Sequence, residues 1–366
     1  MLWQWLAARR FPLHQKASNG DLAPAVSILK SLKGCDDTTE ASLQSWFAQE
    51  YSGRWEMLFA VADSDDPVCE MVRRLIARYP KVSARLVVCG YLRGANAKVA
   101  KLAQLQRLAA FELILISDAD VRVRPDFVEH IVAPLRDEQT ALVNCFYRLA
   151  NPTTTAMQLE AVAINADFWS QVVQSTTLKP MDFALGAAIL MRRRALEEIG
   201  GFASLADCLA DDYQLGRRIA ACGHRIALCT EVVDCWDTPK GWDQVWKHQL
   251  RWARTIRVSE PALYFFSILS NASLWPLIWL IAAVGNGNVM GGVLVSGFCF
   301  GLRVLLALDL QRRLTPDGKL VAPFWLVPAK DLAQAALWAG AFLGTNVEWR
   351  GRRMKVRRDG TLLAVD

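Results

Sequence analysis

Along the first 240 residues, short apolar and β-branched runs alternate with stretches of helical periodicity. The runs at 25–29, 57–62, 84–89, 113–117, 141–146 and 225–229 predict strands. The stretches at 41–49, 67–78, 97–109, 125–135, 194–199 and 213–222 predict helices between them. That alternation predicts an α/β domain with a mainly parallel sheet. No internal repeat or low-complexity stretch interrupts it. Beyond this point the pattern changes. Residues 242–257 carry Trp242, Val245, Trp246, Gln249 and Trp252 along one helical side, with Lys247, Arg251, Arg254 and Arg257 beside them. This periodicity suits a helix lying on a membrane surface and an amphipathic helix on the catalytic domain equally. Residues 262–284 include no charged side chain, and after Gly285-Asn286-Gly287-Asn288 a second run, 289–308, carries only Arg303. Both are long enough to cross a bilayer. A third run, 324–344, contains Pro328, Lys330 and Asp331.

Charge sets the expected topology. Arg312, Arg313 and Lys319 follow the second run, and Arg350, Arg352, Arg353, Lys355, Arg357 and Arg358 crowd the end of the chain, so both segments are expected on the cytoplasmic side. Two crossings return the chain to its starting side, which leaves 324–344 re-entrant or interfacial, with Lys330 and Asp331 facing protein or a cavity. Residues 1–8 are too short to span, but Trp3 and Trp5 suit an interface. With 53% hydrophobic and 21% charged residues, the 366-residue chain is not a disordered one. Forty-two Lys and Arg against 36 Asp and Glu give +6, an excess that suits an anionic membrane surface or a phosphate ligand better than nucleic acid. The nine cysteines form no C-x-x-C pair and fit a reduced, cytoplasmic setting.

Ligands of a parallel sheet bind beyond the carboxyl ends of its strands, which draws attention to three acidic clusters. Asp63, Asp65 and Asp66 follow the second strand, just before Pro67; helix capping accounts for one of them but hardly for three. Asp118-Ala119-Asp120 follows the apolar strand ending at Ser117. Carboxylates at that spacing can hold Mg²⁺ or Mn²⁺ against a diphosphate, although the bare pattern also occurs as an acidic turn. Asp211 and Asp212 open a helix, either as partners of its dipole or as a general base with an orienting neighbour.

Taken in order, the 63–67 cluster, Ser117-Asp118-Ala119-Asp120-Val121-Arg122-Val123, Gly200-Gly201-Phe202, Leu209-Ala210-Asp211-Asp212-Tyr213, His248-Gln249-Leu250-Arg251-Trp252, the apolar pair and Glu348-Trp349-Arg350-Gly351-Arg352-Arg353 resemble the ceramide glucosyltransferase family. These are membrane-bound, inverting glycosyltransferases of the family-two type, and the likeness extends to bacterial hopanoid-associated members. The resemblance implies a GT-A nucleotide-sugar-binding domain, a UDP-sugar donor, a lipid hydroxyl acceptor and a Mn²⁺ or Mg²⁺ ion. Residue by residue, it implies that Asp63 and Asp66 meet the uridine, that Asn96 and Lys98 lie on the donor side, and that Asp118 and Asp120 hold the metal and diphosphate. It makes Asp212 the catalytic base beside Asp211, and gives Arg251 and Trp252 the last two positions of a (Q/R)xxRW motif, with Arg251 stabilising the leaving UDP. The loop 183–188 matches the acceptor-side segment.

The implied division is an interfacial segment 1–23, a GT-A catalytic domain 24–235, an interfacial helix 236–261, a membrane region 262–345 with two crossings and a re-entrant segment, and a basic cytoplasmic tail 346–366. The chain is then a multi-pass membrane protein with its catalytic domain on the cytoplasmic face. It departs from the family in three places: His248 stands where the motif has Gln or Arg, 160–173 lacks the His expected between the second and third motifs, and the family's N-terminal anchor helix is not seen, so the expectation is either a trimmed chain start or anchoring by the apolar pair and the surface helix. Two other readings share the acidic motifs: a processive polysaccharide synthase, for which two crossings are few, and a catalytically dead sugar-nucleotide-binding scaffold, which a missing motif would favour.

Overall fold

The computed structural model describes residues 1–16, 23–349, 352–357 and 360–364, in two compact units. One unit, residues 12–150 and 178–238, is built on an eight-stranded sheet. Its strands are β1 (Val26–Ser31), β2 (Trp55–Val61), β3 (Ser83–Val88), β4 (Leu113–Ser117), β5 (Val121–Arg122), β6 (Thr140–Leu149), β7 (Ala188–Arg192) and β8 (Arg225–Cys235), in the order β3-β2-β1-β4-β7-β6-β8-β5. Strands β3, β2, β1 and β4 are mutually parallel; β7 runs against both β4 and β6, and β5 runs against β8. The mainly parallel sheet expected from the alternation is therefore present, and the two reversed strands are the ones the hydrophobic pattern passes over. Strand β7, Ala-Ile-Leu-Met-Arg, is made largely of good helix formers, and a run that short has no period to tell strand from helix. Strands β1, β2 and β4 are buried along almost their whole length, as strands covered on both faces must be.

The other unit gathers residues 1–11, 151–177 and 239–366. The segment 151–177, assigned from the sequence to the interior of the catalytic domain 24–235, here packs with C-terminal helices. It forms the helix Thr155–Val162, a π-helical turn Ala163–Phe168 and the helix Trp169–Thr176. The helix Trp242–Ser259 buries Val245, Gln249 and Ala253 and leaves Trp242 and Trp246 exposed, so its seam runs through small and medium side chains and these two tryptophans face outward.

Among the described residues one helix, Val289–Leu314, is long and apolar enough to cross a membrane. The run 262–284, read from the sequence as one span, is two pieces, Pro261–Ser270 and Leu274–Gly285, bent by 49°. The break has a local cause: Asn271 Oδ1 accepts the amides of Ser273 at 3.2 Å and Leu274 at 2.9 Å, starting a new helix where the old one would continue. The third apolar run forms the helix Leu326–Phe342, in which Lys330 and Asp331 are buried. The last residues, read as a basic tail, form a small antiparallel sheet of β9 (Asn346–Trp349), β10 (Arg352–Val356) and β11 (Leu362–Ala364); Arg350 and Gly351 of the 348–353 motif lie outside the described residues.

Candidate active site

The sheet unit brings four of the singled-out residues together around one ammonium group. Strand β4 delivers Asp118, whose amide donates to Ala187 O at 3.2 Å. The helix Ala97–Leu108 delivers Lys98 in its first turn, started by Asn96, whose side-chain oxygen accepts the amides of Lys98 at 3.1 Å and Val99 at 3.2 Å. Such a cap is worth about 1 kcal/mol. The same Asn96 uses its Nδ2 to donate to Cys208 O at 2.9 Å and to Asp211 Oδ1 at 3.2 Å, fastening this helix to the start of the helix Asp211–Ala221. Lys98 Nζ then lies 2.6 Å from Asp118 Oδ1 and 3.6 Å from Asp211 Oδ2. Burial pulls that ammonium toward neutrality, but Asp118 and Asp211 outweigh it and hold its pKa well above the ordinary lysine range.

Asp212 occupies the next position of the same helix, and burial together with the charge of Asp211 pushes its carboxyl up to about 6, against the opposing pull of Lys98. Its Oδ2 lies over Gly186: a Cβ built there would stand 2.6 Å from that oxygen. The loop bearing Gly186 is pinned by Asn144 of β6, whose Oδ1 accepts the Leu185 amide at 3.0 Å while its Nδ2 donates to Ala227 O at 3.1 Å. Gly186→Ala should therefore displace the Asp212 carboxylate and lower turnover by about 10²-fold, with nucleotide binding retained. Unchanged turnover in that variant would show that the Asp212 position is not critical.

Asp120 sits beyond the strand end, its carbonyl accepting the Trp236 amide at 3.0 Å. Loss of hydration in the surrounding protein, and then Asp118, push its carboxyl up to about 6. Among the described residues no group of three or more His, Cys, Asp and Glu is arranged to hold a metal ion. Two neighbouring carboxylates nonetheless fit Mg²⁺ or Mn²⁺, which keep several waters and complete their shells with substrate phosphates.

A residue that the sequence reading missed lies beneath this pair. Lys30 of β1 is wholly buried; its ammonium donates to Asp118 O at 2.9 Å and Ser117 Oγ at 3.3 Å and stands 4.2 Å from the ring centre of Trp46. Burial lowers its pKa to about 7, opposed by Asp118 and Asp120. The signal was present, since a lysine inside the apolar run Val-Ser-Ile-Leu-Lys is costly unless it has partners.

The first acidic cluster has partners of its own. Asp66 takes the Gly34 amide on both oxygens, at 3.0 Å each, and the Val68 amide on Oδ1 at 3.0 Å, tying the loop after β1 to the start of the helix Val68–Arg78. Asp63 is exposed, and its Oδ1 accepts the Asp65 amide at 3.0 Å. The remaining pair, Arg251 and Trp252, belongs to the helical unit. There His248 Nδ1 lies 2.6 Å from Glu160 Oε1, to which Gln249 Nε2 also donates at 2.8 Å, and the Trp252 ring packs 4.7 Å from His248 and 6.3 Å from Phe168. Burial opposes the ionisation of Glu160, but His248 and Gln249 more than offset it and keep its pKa below the usual range. Glu160 is the second residue the sequence reading missed.

The profile of glycosyl transferase family 21 matches residues 1–362. Ceramide glucosyltransferase 3 of Caenorhabditis elegans is 30% identical over 232 residues, which are 61% of this chain and 48% of the relative. A beta-monoglucosyldiacylglycerol synthase of Trichormus variabilis is 26% identical over 208 residues, 56% of this chain and 43% of that one. The chain spans about half the length of the curated relatives it matches. Among solved structures, a mannosyltransferase of Pyrobaculum calidifontis, in complex with GDP-mannose and Mn²⁺, is similar with a TM-score of 0.52 over 92% of this chain and 93% of that one, at 20% identity. At that identity the likeness concerns the fold, which is GT-A.

Proposed function

The chain belongs to glycosyl transferase family 21, and from that premise we propose that it moves a sugar, glucose or N-acetylglucosamine, from a UDP-sugar to the hydroxyl of a membrane lipid such as a ceramide or hopanoid, inverting the anomeric carbon. The observation that carries the proposal is the gathering of Asp118, Asp211 and Lys98, with Asp212 held up to about 6 beside them. In this reading the Asp212 carboxylate takes the proton of the acceptor hydroxyl as its oxygen attacks the anomeric carbon from the face opposite the diphosphate. Asp211 keeps Asp212 basic enough for that transfer near neutral pH and anchors Lys98. Asp118 and Asp120 would hold the Mn²⁺ or Mg²⁺, which supplies charge neutralisation to the departing diphosphate. Asn96 and Lys98 orient the donor side, Asp63 and Asp66 shape the uridine side, and Arg251 and Trp252 enter by their motif, Arg251 as a further cation for the leaving group.

The same reading makes the chain a membrane protein, anchored by Val289–Leu314, by the bent pair 261–285 and by the exposed Trp242 and Trp246, with its sheet unit on the cytoplasmic face. The domain limits inferred from the sequence carry over to this proposal with 151–177 placed in the helical unit and 12–16 in the sheet unit.

Label transfer tests the proposal. The purified chain, given Mn²⁺, is expected to pass sugar from UDP-glucose or UDP-N-acetylglucosamine to one of ceramide, a polyhydroxylated hopanoid or diacylglycerol, and chelation is expected to stop it. UDP binding with no lipid product would favour the scaffold reading, and a growing polymer would favour the synthase. The rate should fall as pH drops through about 6, because Asp212 then keeps its proton and cannot accept another. A rate independent of pH between 5 and 8, on the order of the window where such a base titrates, would remove Asp212 from that role.

A further inference from the structure

The segment 155–176 changes its winding where nothing in its composition demands it. Ala163–Phe168, with the sequence Ala-Ile-Asn-Ala-Asp-Phe, is a π-helical turn between two α-helices and contains neither Pro nor Gly. Such turns insert one residue into a helix and recur at functional positions. Their effect on register is calculable. In an uninterrupted α-helix the residue seven after Glu160 returns to within ~20° of its face, so Asp167 would point the way Glu160 points and Phe168 would lie aside. One inserted residue moves every later position back by ~100°. Phe168 then comes onto the Glu160 face, and Asp167 turns away from it.

The contacts follow that register. Glu160 grips His248 and Gln249, and Phe168 packs against Trp252, all on the helix Trp242–Ser259. Asp167 meets the other helices: its Oδ2 accepts from Arg303 Nη2 at 2.8 Å and pairs with Lys330. Arg303 in turn forks onto Asp331, Nε to Oδ2 at 2.8 Å and Nη2 to Oδ1 at 2.9 Å, while Lys330 stands 2.7 Å from Asp331 Oδ1. Ser273 Oγ donates to Asp331 Oδ2 at 2.7 Å, at the break between the bent helices. Two positive and two negative side chains thus close on one another, each at most 10% exposed. Packed apolar side chains often give equal or greater stability than such a buried network, and ionisable groups inside apolar helical bundles are pointers to function.

We propose that Asp167, Arg303, Lys330 and Asp331 are positioning residues for the lipid-transfer reaction: by holding Asp167 aside they keep the π turn wound, so that Phe168 buttresses Trp252 while Glu160 holds His248. This rests on the assignment of the Arg251-Trp252 helix to the reaction under the proposed function. It extends that assignment to four groups that act through the winding of 163–168 and not on the reacting atoms. Arg303 binds both carboxylates through a planar fork that a lysine does not reproduce.

The test uses the full chain in lipid nanodiscs, with Asp167→Asn and the milder Arg303→Lys. Three quantities are measured: kcat and KM for the lipid, UDP affinity by calorimetry with Mn²⁺, and amide hydrogen exchange. Asp167→Asn is expected to lower kcat/KM for the lipid on the order of tenfold or more. UDP affinity should stay at the wild-type value, while exchange quickens in 163–168 and 248–252 and not in the sheet unit. Arg303→Lys should show part of the same pattern. Wild-type lipid kinetics in Asp167→Asn, or a loss of lipid transfer and UDP binding in equal proportion, would overturn the proposal, the second because it marks general instability. If the wild-type chain transfers to no lipid, the lipid reading fails by itself; exchange in the two segments then decides the positioning claim, with unchanged exchange in Asp167→Asn overturning it.

Discussion

Replacing Asp212 by Asn should reduce sugar transfer by about 10²- to 10⁴-fold, the range a positioned general base contributes, while UDP still binds. The substitution keeps the shape of the side chain over Gly186 and the bond its Oδ1 accepts from the Tyr213 amide at 2.8 Å, so the fold around it is preserved. What it removes is the carboxylate that burial and Asp211 have raised to about 6. A carboxyl at that value is still mostly ionised at pH 7 and is a stronger base than an ordinary aspartate. The acid limb of the pH profile should vanish along with the rate. Calorimetry with UDP, run beside single-turnover transfer, separates the two effects. Retention of near-normal turnover would show that the acceptor proton leaves by another route.

Lys98→Met should be nearly as damaging, for an electrostatic reason. The Lys98 ammonium is the cation shared by Asp118 and Asp211, 2.6 and 3.6 Å away, and its own side chain is only 14% exposed. Without it Asp118, Asp211 and Asp212 repel one another in surroundings that screen poorly. Asp212, which Lys98 now pulls downward, should take up protons at higher pH, so the acid limb of the rate profile moves upward. Transfer at pH 7 should fall by about 10²-fold, comparable to loss of one preorganised electrostatic group. Lys98→Arg should recover part of it. A pH profile unmoved in Lys98→Met would mean that the ammonium does not govern Asp212.

These two residues illustrate what the sequence could reveal. Asp118 and Asp120 stood out because they follow a strand that is apolar up to Ser117, and the order of motifs gave Lys98, Asp211 and Asp212 a role. The convergence of Asp118, Asp211 and Asp212 on the Lys98 ammonium came from three separate strand or helix ends and is a property of the fold. Lys30 was visible as a charge within an apolar strand, yet only the parallel pairing of β1 with β4 puts it under Asp118. The reversed strand β7 and the bend at Asn271 were hidden because both depend on local choices that hydrophobic periodicity does not encode: a short run of helix formers pinned between two strands, and a side chain that caps the next helix. Asp66, which the sequence offered as one of an acidic trio, also accepts the backbone amides of Gly34 and Val68, contacts that depend on where the loop after β1 runs and that its charge alone does not reveal. The π turn had no sequence signature. It shows itself only through the opposed destinations of Asp167 and Phe168.

The central claim is a single displacement in which Asp212 deprotonates the acceptor at the face opposite the diphosphate. The most direct measurement is the anomeric configuration of the lipid product made from an α-linked UDP-sugar, read from the coupling of its anomeric proton by nuclear magnetic resonance. The account predicts a β-linked product. An α-linked product would contradict it, because retention requires a second displacement or a front-face attack in which a base placed as Asp212 is here assigned has no part.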